Sequence, residues 1–522
     1  MTQKTPGAIA AGHPQTAEAG LEILRAGGNA FDAAVAAMLA SFVTEPGLTS
    51  AAGGGFLLAH TGDRRNLLFD FFVQTPRQKK PVGDIDFYPV SVNFGDAVQE
   101  FHVGLGSMGV PGALAGAFRV LERLGTLPFR VVAEPAIAYA RQGVVLNDYQ
   151  SYCLLQILRP IVIDDRAGPA IYTPTGEAIA PGRSLRMPEF ANTLEYLAAT
   201  GVGEFYRGEI ARQLVADCRE RGGHLTLEDL QGYRVIERQP VCCSYRDRLF
   251  LSNPPPSSGG TLIAFALQLL SGIELNSLQF GGEAHLHAIA RVMQLTNRAR
   301  QERFDRHLHR PDIAEAFLSV DGVGRYRDRL RHLASKWGST THISVVDGQG
   351  NAASVTASNG EGSSYVIPGT GIMVNNMLGE ADLNPAGFHQ WPENTRLSSM
   401  MAPSLLLRDR QVEAVLGSGG SNRIRTAILQ VISNLLDFNM PVDGAVDAPR
   451  VHWEEGTFHL EPGFDAETRA KLQLPETDRV VPWMAKGMFF GGVHAVVRSP
   501  TGELEAVGDR RRGGGAGQLH KN

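Results

Sequence analysis

The chain is poor in the features that mark several large functional classes. It carries four cysteines in 522 residues, Cys153, Cys218, Cys242 and Cys243, and no C-x-x-C pair. That argues against a disulfide framework and against cysteine-based zinc binding, and it fits a reducing compartment. Adjacent Cys242 and Cys243 would point to opposite faces of a strand and rarely bond each other. Basic residues are not in surplus: 49 Lys and Arg stand against 54 Asp and Glu, a net charge of −5. Nucleic acid, which needs a basic face, is not an expected partner. The cluster Arg510, Arg511 and Arg512 reads as a solvated turn. The apolar run Ala33–Ala40 is half of what a membrane span requires, and the opening MTQKTPGAIAAGHPQT has no apolar core of signal-peptide length. The expectation is a soluble cytoplasmic protein without a membrane partner, or a periplasmic one if a leader has been removed.

Several catalytic signatures are also missing. There is no G-x-S-x-G elbow, no phosphate-binding G-x-x-x-x-G-K-[ST] and no H-E-x-x-H. Residues 104–109 match G-x-G-x-x-G, but Pro111 follows at once and no apolar strand clearly precedes, so a dinucleotide site is not expected. His285/His287 and His307/His309 are spaced i,i+2 and diverge on a helix, which suits a metal poorly. Neither a metal nor an organic cofactor is implied.

What is present is ordinary globular composition, 43 % hydrophobic and 20 % charged, with 59 glycines gathered in short runs that suit tight loops. Residues 14–43 read as two helices, one starting at Pro14 and stopped by Gly27-Gly28, the next an Ala-rich buried helix opened by Asp32 over Ala33–Val43. Phe56–Ala59 and Leu67–Val73 form a hairpin in a sheet covered on both faces. From about 110 to 330 the chain reads as mostly helical, with a Pro/Gly connector at 254–260. The charge-rich segment Asp321–Lys336 reads as exposed. Strands return at Ile343–Asp347 and Ala352–Ser358 around a Gly-Gln-Gly-Asn turn, and at Leu405–Leu407 and Val412–Leu416. A Gly-rich turn, Gly417–Ser421, then leads into a helical stripe from Ile424 to Leu435. Late strands follow at Val493–Arg498 and Leu504–Val507.

Chemistry concentrates at two of these junctions. A Thr hydroxyl is a weak nucleophile and needs a base within hydrogen-bond reach. If Thr340, in Ser339-Thr340-Thr341-His342, became a chain terminus, its own α-amino group, with an ordinary pKa of about 7.7–8.0, would be that base. The Gly417–Ser421 turn, between a strand and a helix N-terminus, presents backbone N–H groups of the kind that hold the oxyanion of an acyl transfer. Arg396-Leu397-Ser398-Ser399 offers a cation and paired hydroxyls suited to a carboxylate. Each pattern alone is also met in ordinary capped loops.

Together these residues resemble the γ-glutamyltranspeptidase family of the N-terminal nucleophile hydrolases, nearly end to end. The likeness is carried by His13-Pro14 through Glu22-Ile23-Leu24-Arg25-Ala26-Gly27-Gly28-Asn29-Ala30-Phe31-Asp32, by Gly53–Phe56 and Leu225–Leu230, and by the signature Thr340–Asp347 with Gly350-Asn351. Asn375-Asn376, Leu397–Met400 and Asp509–Arg511 complete it. The resemblance implies an α+β fold, a four-layered αββα sandwich. It implies cleavage between Ser339 and Thr340 into a large piece, 1–339, and a small catalytic piece, 340–522, intertwined in one structural domain. It implies Thr340 as nucleophile, Ser358 orienting its amine, Gly420 and Ser421 as oxyanion donors, and Ser398 and Ser399 as ligands of a donor carboxylate, with Asn376 and Glu380 also in the substrate site.

The sequence departs from the family's pattern at the substrate end. The family's carboxylate-binding Arg follows an Asp-Phe pair; here Asp70-Phe71 is followed by Phe72, which makes no charge-assisted contact. Glu380 stands where the family places an Asp, and Met377 where it places a Gln. Asn359 and Gly360 lie at an imperfectly matched loop, and the segment between Glu380 and Ser398 is shortened. Arg77 or Arg396 is expected to replace the lost cation. The expected activity is cleavage or transfer of the γ-glutamyl group of glutathione and related amides, with hydrolysis dominant. The alternatives are an acylase or amidase acting on a less charged acyl group, and an unprocessed binding protein. The implied partners are a small-molecule amide and the two fragments of the chain itself.

Overall fold

Strands buried on both faces need cover on both sides, and the architecture supplies it with two stacked sheets between layers of helices. The computed structural model describes residues 4–93, 98–162, 169–172, 182–326, 340–384, 386–474, 477 and 479–520. The elements that matter for the site are, in chain order, strand β1 (Gly7–Ala11), helices α1 (Pro14–Arg25) and α2 (Ala30–Thr44), strands β2 (Gly54–His60), β3 (Asn66–Asp70), β4 (Ile236–Arg238), β5 (Val241–Tyr245) and β6 (Arg248–Ser252). Then come helices α3 (Gly259–Leu270) and α4 (Glu283–Ala299), strands β7 (Thr341–Asp347), β8 (Ala352–Ser358), β9 (Ser404–Arg408) and β10 (Gln411–Gly419), helix α5 (Arg423–Leu436), and strands β11 (Gly492–Arg498), β12 (Leu504–Val507) and β13 (Gly515–Leu519).

One sheet has the order β13-β1-β7-β8-β2-β3-β4 and the other β12-β11-β10-β9-β6-β5. All their pairings are antiparallel. β7 and β8 pack on β10, and β1 on β11, so the sheets lie face to face. Helices α1 and α2 cover the first sheet, and α3 and α5 the second. This is the four-layered αββα sandwich. Side chains of β1 alternate accordingly: Ile9 and Ala11 join the core under α1 and α2, and Ala8 and Ala10 the core between the sheets.

Local chemistry explains the helix starts. His13 caps α1 by accepting from the Gln15 N–H at 3.1 Å, with Pro at the first helical position. Asn29 and Asp32 form a reciprocal capping box, so α2 begins at Ala30, earlier than Asp32 alone suggests. His342 projects between the sheets, with Nδ1 2.8 Å from Thr356 Oγ1 and Nε2 3.0 Å from Ser344 Oγ. Burial holds its pKa well below the ordinary histidine value, which makes it a neutral strut of the sandwich.

Three expectations change, and two strands appear that the sequence reading did not assign. β4, β5 and β6 interrupt the region read as helical. β1 and β13 are strands despite Gly- and Ala-rich sequences, because each is held by pairing to a neighbour. β10 runs on to Gly419, so the glycine-rich turn is shorter than Gly417–Ser421. Arg511 and Arg512 are buried rather than solvated: Arg511 pairs with Glu461 at 2.6 Å and Asp509 at 3.3 Å, and Arg450 pairs with the same Asp509 at 2.7 Å. Of the charged segment 321–336, residues 327–336 lie outside the described residues, as does Ser339. Among the described residues no helix is long and apolar enough to cross a membrane, and no cluster of potential metal ligands occurs. Cys242 is exposed and Cys243 buried on β5, as opposite faces require, and all four cysteines are free thiols.

Candidate active site

The centre of the first sheet delivers Thr340. It immediately precedes β7, and the antiparallel register that pairs Thr341 with Ala357 leads straight to Ser358 at the end of β8. Thr340 and Ser358 line one pocket of roughly 630 Å3, its mouth included, together with Phe72, Met377, Glu380, Ser398, Ser399 and Ser421. The second sheet contributes the end of β10. A Cβ at Gly419 would stand 2.0 Å from the Thr340 carbonyl oxygen, so only glycine lets the two chains approach this closely. Gly420 (φ 120°) and Ser421 (φ 48°) then adopt left-handed backbone conformations before α5 begins at Arg423. Ser421 is anchored from its side chain, its hydroxyl donating to Asp382 Oδ2 at 2.5 Å.

Behind Thr340 the backbone is gripped from two directions. Arg512 Nη1 donates to the Thr340 carbonyl at 3.4 Å and Arg512 Nη2 to that of Met488 at 3.2 Å. The next residue, Thr341, donates its hydroxyl to the carboxyl of Glu45, which also accepts from Thr16 Oγ1 at 2.9 Å. Burial pushes the Glu45 carboxyl up to about 7.

Two carboxyls of the pocket are shifted in the same direction. Burial, then the neighbouring Glu361 and Asp382, hold Glu380 well above the ordinary carboxylate range. Asp382 is raised too, chiefly by burial. The fold therefore favours the neutral form of Glu380, and an adjacent cation is what would ionise it. Among the described residues one guanidinium lines the pocket, that of Arg300. Its Nε donates to both Asp305 oxygens at 3.0 Å, and its Nη1 donates to Asn422 Oδ1 at 3.2 Å.

The profile of the gamma-glutamyltranspeptidase family matches residues 16–519. This chain belongs to that family. Among curated relatives, the "Acylase ACY 1 proenzyme" of Pseudomonas sp. (strain SE83) is 32 % identical over 522 residues, covering 95 % of this chain and 91 % of the relative. The "Glutathione hydrolase proenzyme" of Escherichia coli (strain K12) is 30 % identical over 537 residues, covering 97 % and 90 %. The cephalosporin acylase from Bacillus halodurans superposes with a TM-score of 0.85 at 25 % identity, covering 99 % of this chain and 97 % of that one.

In this member of the gamma-glutamyltranspeptidase family, the residues singled out from sequence divide into two groups. Thr340, Ser358, Phe72, Glu380, Ser398, Ser399 and Ser421 meet at the pocket, with Gly420 next to its wall. Asn376 and Arg396 are not in the pocket lining. Asn376 Oδ1 accepts from the Glu361 N–H at 2.8 Å and Nδ2 donates to the His102 carbonyl at 3.3 Å, which props the loop that carries Glu380. The Arg396 guanidinium is buried, donating to the carbonyls of Phe72 and Arg234 and to Tyr233, with Nε 3.5 Å from Asp70. It braces the Phe72 backbone from outside. Arg77 is half exposed beside Asp229 and lines neither wall. Sequence reasoning missed Asp382, Ser258 and the pair Arg300–Asp305. Asp382 lies two residues beyond Glu380 and was within reach of a careful reading; nothing local marks Arg300, which arrives from the end of α4.

Proposed function

We propose that this protein is a self-processing N-terminal threonine amidase whose pocket takes an acyl group with an apolar body. Thr340 Oγ attacks the carbonyl carbon of Ser339, the peptide bond becomes an ester, and water hydrolyses it. The pieces 1–339 and 340–522 remain folded together and the Thr340 amine is freed. In turnover, Thr340 Oγ attacks the substrate's amide carbon and passes its proton to that amine. Backbone N–H groups at Gly420 and Ser421 receive the oxyanion. The C–N bond breaks as the proton moves to the departing amine, leaving an ester on Thr340. Water then adds to the ester carbonyl, releasing the acid and restoring the threonine.

The observation that carries the acyl preference is Phe72. Its ring is buried in the pocket wall and stacks on Phe56 at 5.3 Å between centroids. With Met377, Leu308, Leu383, Met400 and Ile424 it supplies the apolar part of a lining that also holds hydroxyls, carboxyls and a guanidinium. The likeness to acylases supports this reading. A second reading, hydrolysis or transfer of γ-glutamyl groups from glutathione-like amides, is favoured by Ser398 and Ser399 beside Glu380, and by the likeness to a glutathione hydrolase.

The first test is intact mass. Wild-type protein is expected as two fragments meeting between Ser339 and Thr340, and Thr340→Ala as one uncut chain. An uncut wild type would leave no N-terminal amine and favour a non-catalytic binding protein. The second compares kcat/KM for a neutral aliphatic acyl anilide and a γ-glutamyl anilide. A preference for the γ-glutamyl compound reverses the order of the two readings.

A further inference from the structure

Ser421 is the least ordinary residue of the turn that ends β10. Its φ of 48° lies in the left-handed region, where a residue with a β-carbon is crowded by its own backbone. Gly420 before it, at φ 120°, has no β-carbon to be crowded, and Asn422 after it has returned to φ −58°. A residue strained in this way persists only where its surroundings over-determine it. Here the backbone and the side chains both take part. The carbonyls of Gly420 and Ser421 accept the N–H groups of Arg423 and Ile424, at the start of α5, each at 3.0 Å. Ser421 Oγ donates to Asp382 Oδ2 at 2.5 Å, a carboxyl 39 residues away in the chain. Asn422 accepts from Arg300 Nη1 at 3.2 Å and donates to Glu454 Oε1 at 2.8 Å. The N–H groups of Gly420 and Ser421 donate to no described residue, which leaves them available to an oxygen bound in the pocket that Ser421 and Asp382 line.

We propose that Asp382 is a positioning residue for the oxyanion turn: by holding the Ser421 hydroxyl it keeps a serine in a backbone conformation that glycine would take unaided, and so keeps the Ser421 N–H turned to the pocket. Its catalytic consequence rests on the acyl-transfer reading above. Asp382 touches no reacting atom and gives or takes no proton in the reaction. The left-handed conformation disfavours a serine about 5- to 30-fold against ordinary backbone, and that factor is what the tether offsets. An effect of the Asp382 charge on the pocket would be the same whether residue 421 is serine or glycine, whereas an effect through the tether disappears with glycine.

The test is a double-mutant cycle of wild type, Asp382→Ala, Ser421→Gly and the double variant, with steady-state kinetics on a neutral acyl anilide and each protein shown by intact mass to be in the same processing state. Asp382→Ala is expected to lower kcat about 5- to 30-fold and to change KM by less than about twofold. In the Ser421→Gly background the same substitution should change kcat by less than about twofold, because glycine needs no tether. Two further variants act on the contact alone. Ser421→Ala keeps the β-carbon without the hydroxyl and should fall about 5- to 30-fold below Ser421→Gly, a comparison that stands even if Asp382→Ala does not fold. Asp382→Asn keeps an acceptor for the hydroxyl and should recover most of the loss. Chemical denaturation of the same cycle reads the coupling without turnover: Asp382→Ala should lower the midpoint more with serine at position 421 than with glycine. Wild type without turnover, with that coupling present, defeats the acyl-transfer reading alone. Equal losses in the two backgrounds, in kcat or in denaturation midpoint, or Ser421→Ala as active as Ser421→Gly, overturn the role given to Asp382.

Discussion

Replacing Phe72 by arginine separates what the pocket wall does for stability from what it does for specificity. The backbone at this position is clamped: the Phe72 N–H donates to Asp70 at 3.0 Å, and its carbonyl accepts from Arg396 and, at 2.8 Å, from the Tyr233 hydroxyl. The change is therefore confined to the side chain. Removing a fully buried phenylalanine costs about 1.5–3 kcal/mol of apolar burial, and the lost stack on Phe56 about 0.5–1.5 kcal/mol more. The aliphatic stem of the arginine recovers part of this, but the guanidinium brought to a buried position adds a desolvation cost, so the loss is at least about 2–3 kcal/mol, readable as a lower thermal midpoint. Against that, the introduced guanidinium offers a carboxylate on the acyl group a charge-assisted contact of about 1.5–3 kcal/mol. That corresponds to about a 10- to 100-fold rise in kcat/KM for a γ-glutamyl anilide relative to a neutral acyl anilide. The assay is the ratio of the two values in wild type and Phe72→Arg, taken on protein shown by mass to be in the same processing state. A folded variant with the wild-type ratio refutes the idea that Phe72 sets the acyl preference.

Three further outcomes follow from the geometry. Burial holds the Glu45 carboxyl at about 7 against 4.5 without burial, so its contribution to stability is fully present below pH 4.5 and is lost as pH rises through 7. At 1.36 kcal/mol per unit the swing is about 3 kcal/mol, so Glu45→Gln should gain stability relative to wild type between pH 4.5 and 8, and denaturation midpoints that move in parallel would contradict this. Gly420→Ala puts a Cβ 3.0 Å from Arg512 Nη2 on a backbone at φ 120°; turning its N–H away from the pocket should lower kcat about 100- to 1000-fold with little change in KM, in steady-state kinetics. A thiol reagent should titrate one cysteine, Cys242, in the native protein and four after denaturation, since Cys153, Cys218 and Cys243 are buried and their thiols pushed up to about 12.

The parts of the fold that were legible in sequence are those where local chemistry and tertiary structure agree. Asp32, read as opening the Ala-rich helix, is one half of the box that caps α2, and the Gly-Gln-Gly-Asn turn joins β7 and β8 as a hairpin. The parts that were not legible depend on partners far along the chain. β1 and β13 have weak strand composition and exist because they pair with each other and β1 with β7. Arg511 reads as a surface charge until Glu461 and Asp509 are brought to it, and a buried guanidinium is tolerated only with such partners.

The same distinction runs through the candidate active site, where the sequence marks the proposed chemistry more plainly than the specificity. Thr340, Ser358 and Gly420 sit at the ends of three central strands, so the ladder that builds the sandwich also fixes their spacing. Changing any of them disturbs a motif visible in sequence. The specificity end of the pocket is lined by Phe72 just past β3, by the loops that carry Glu380 and Ser398, and by Arg300 at the end of α4. Those segments meet only in the folded chain, and they can vary without disturbing the ladder. A cation lost at position 72 therefore need not be replaced nearby in sequence. Among the described residues, the guanidinium that lines the pocket arrives from residue 300, held by Asp305 and Asn422, far in sequence from Phe72.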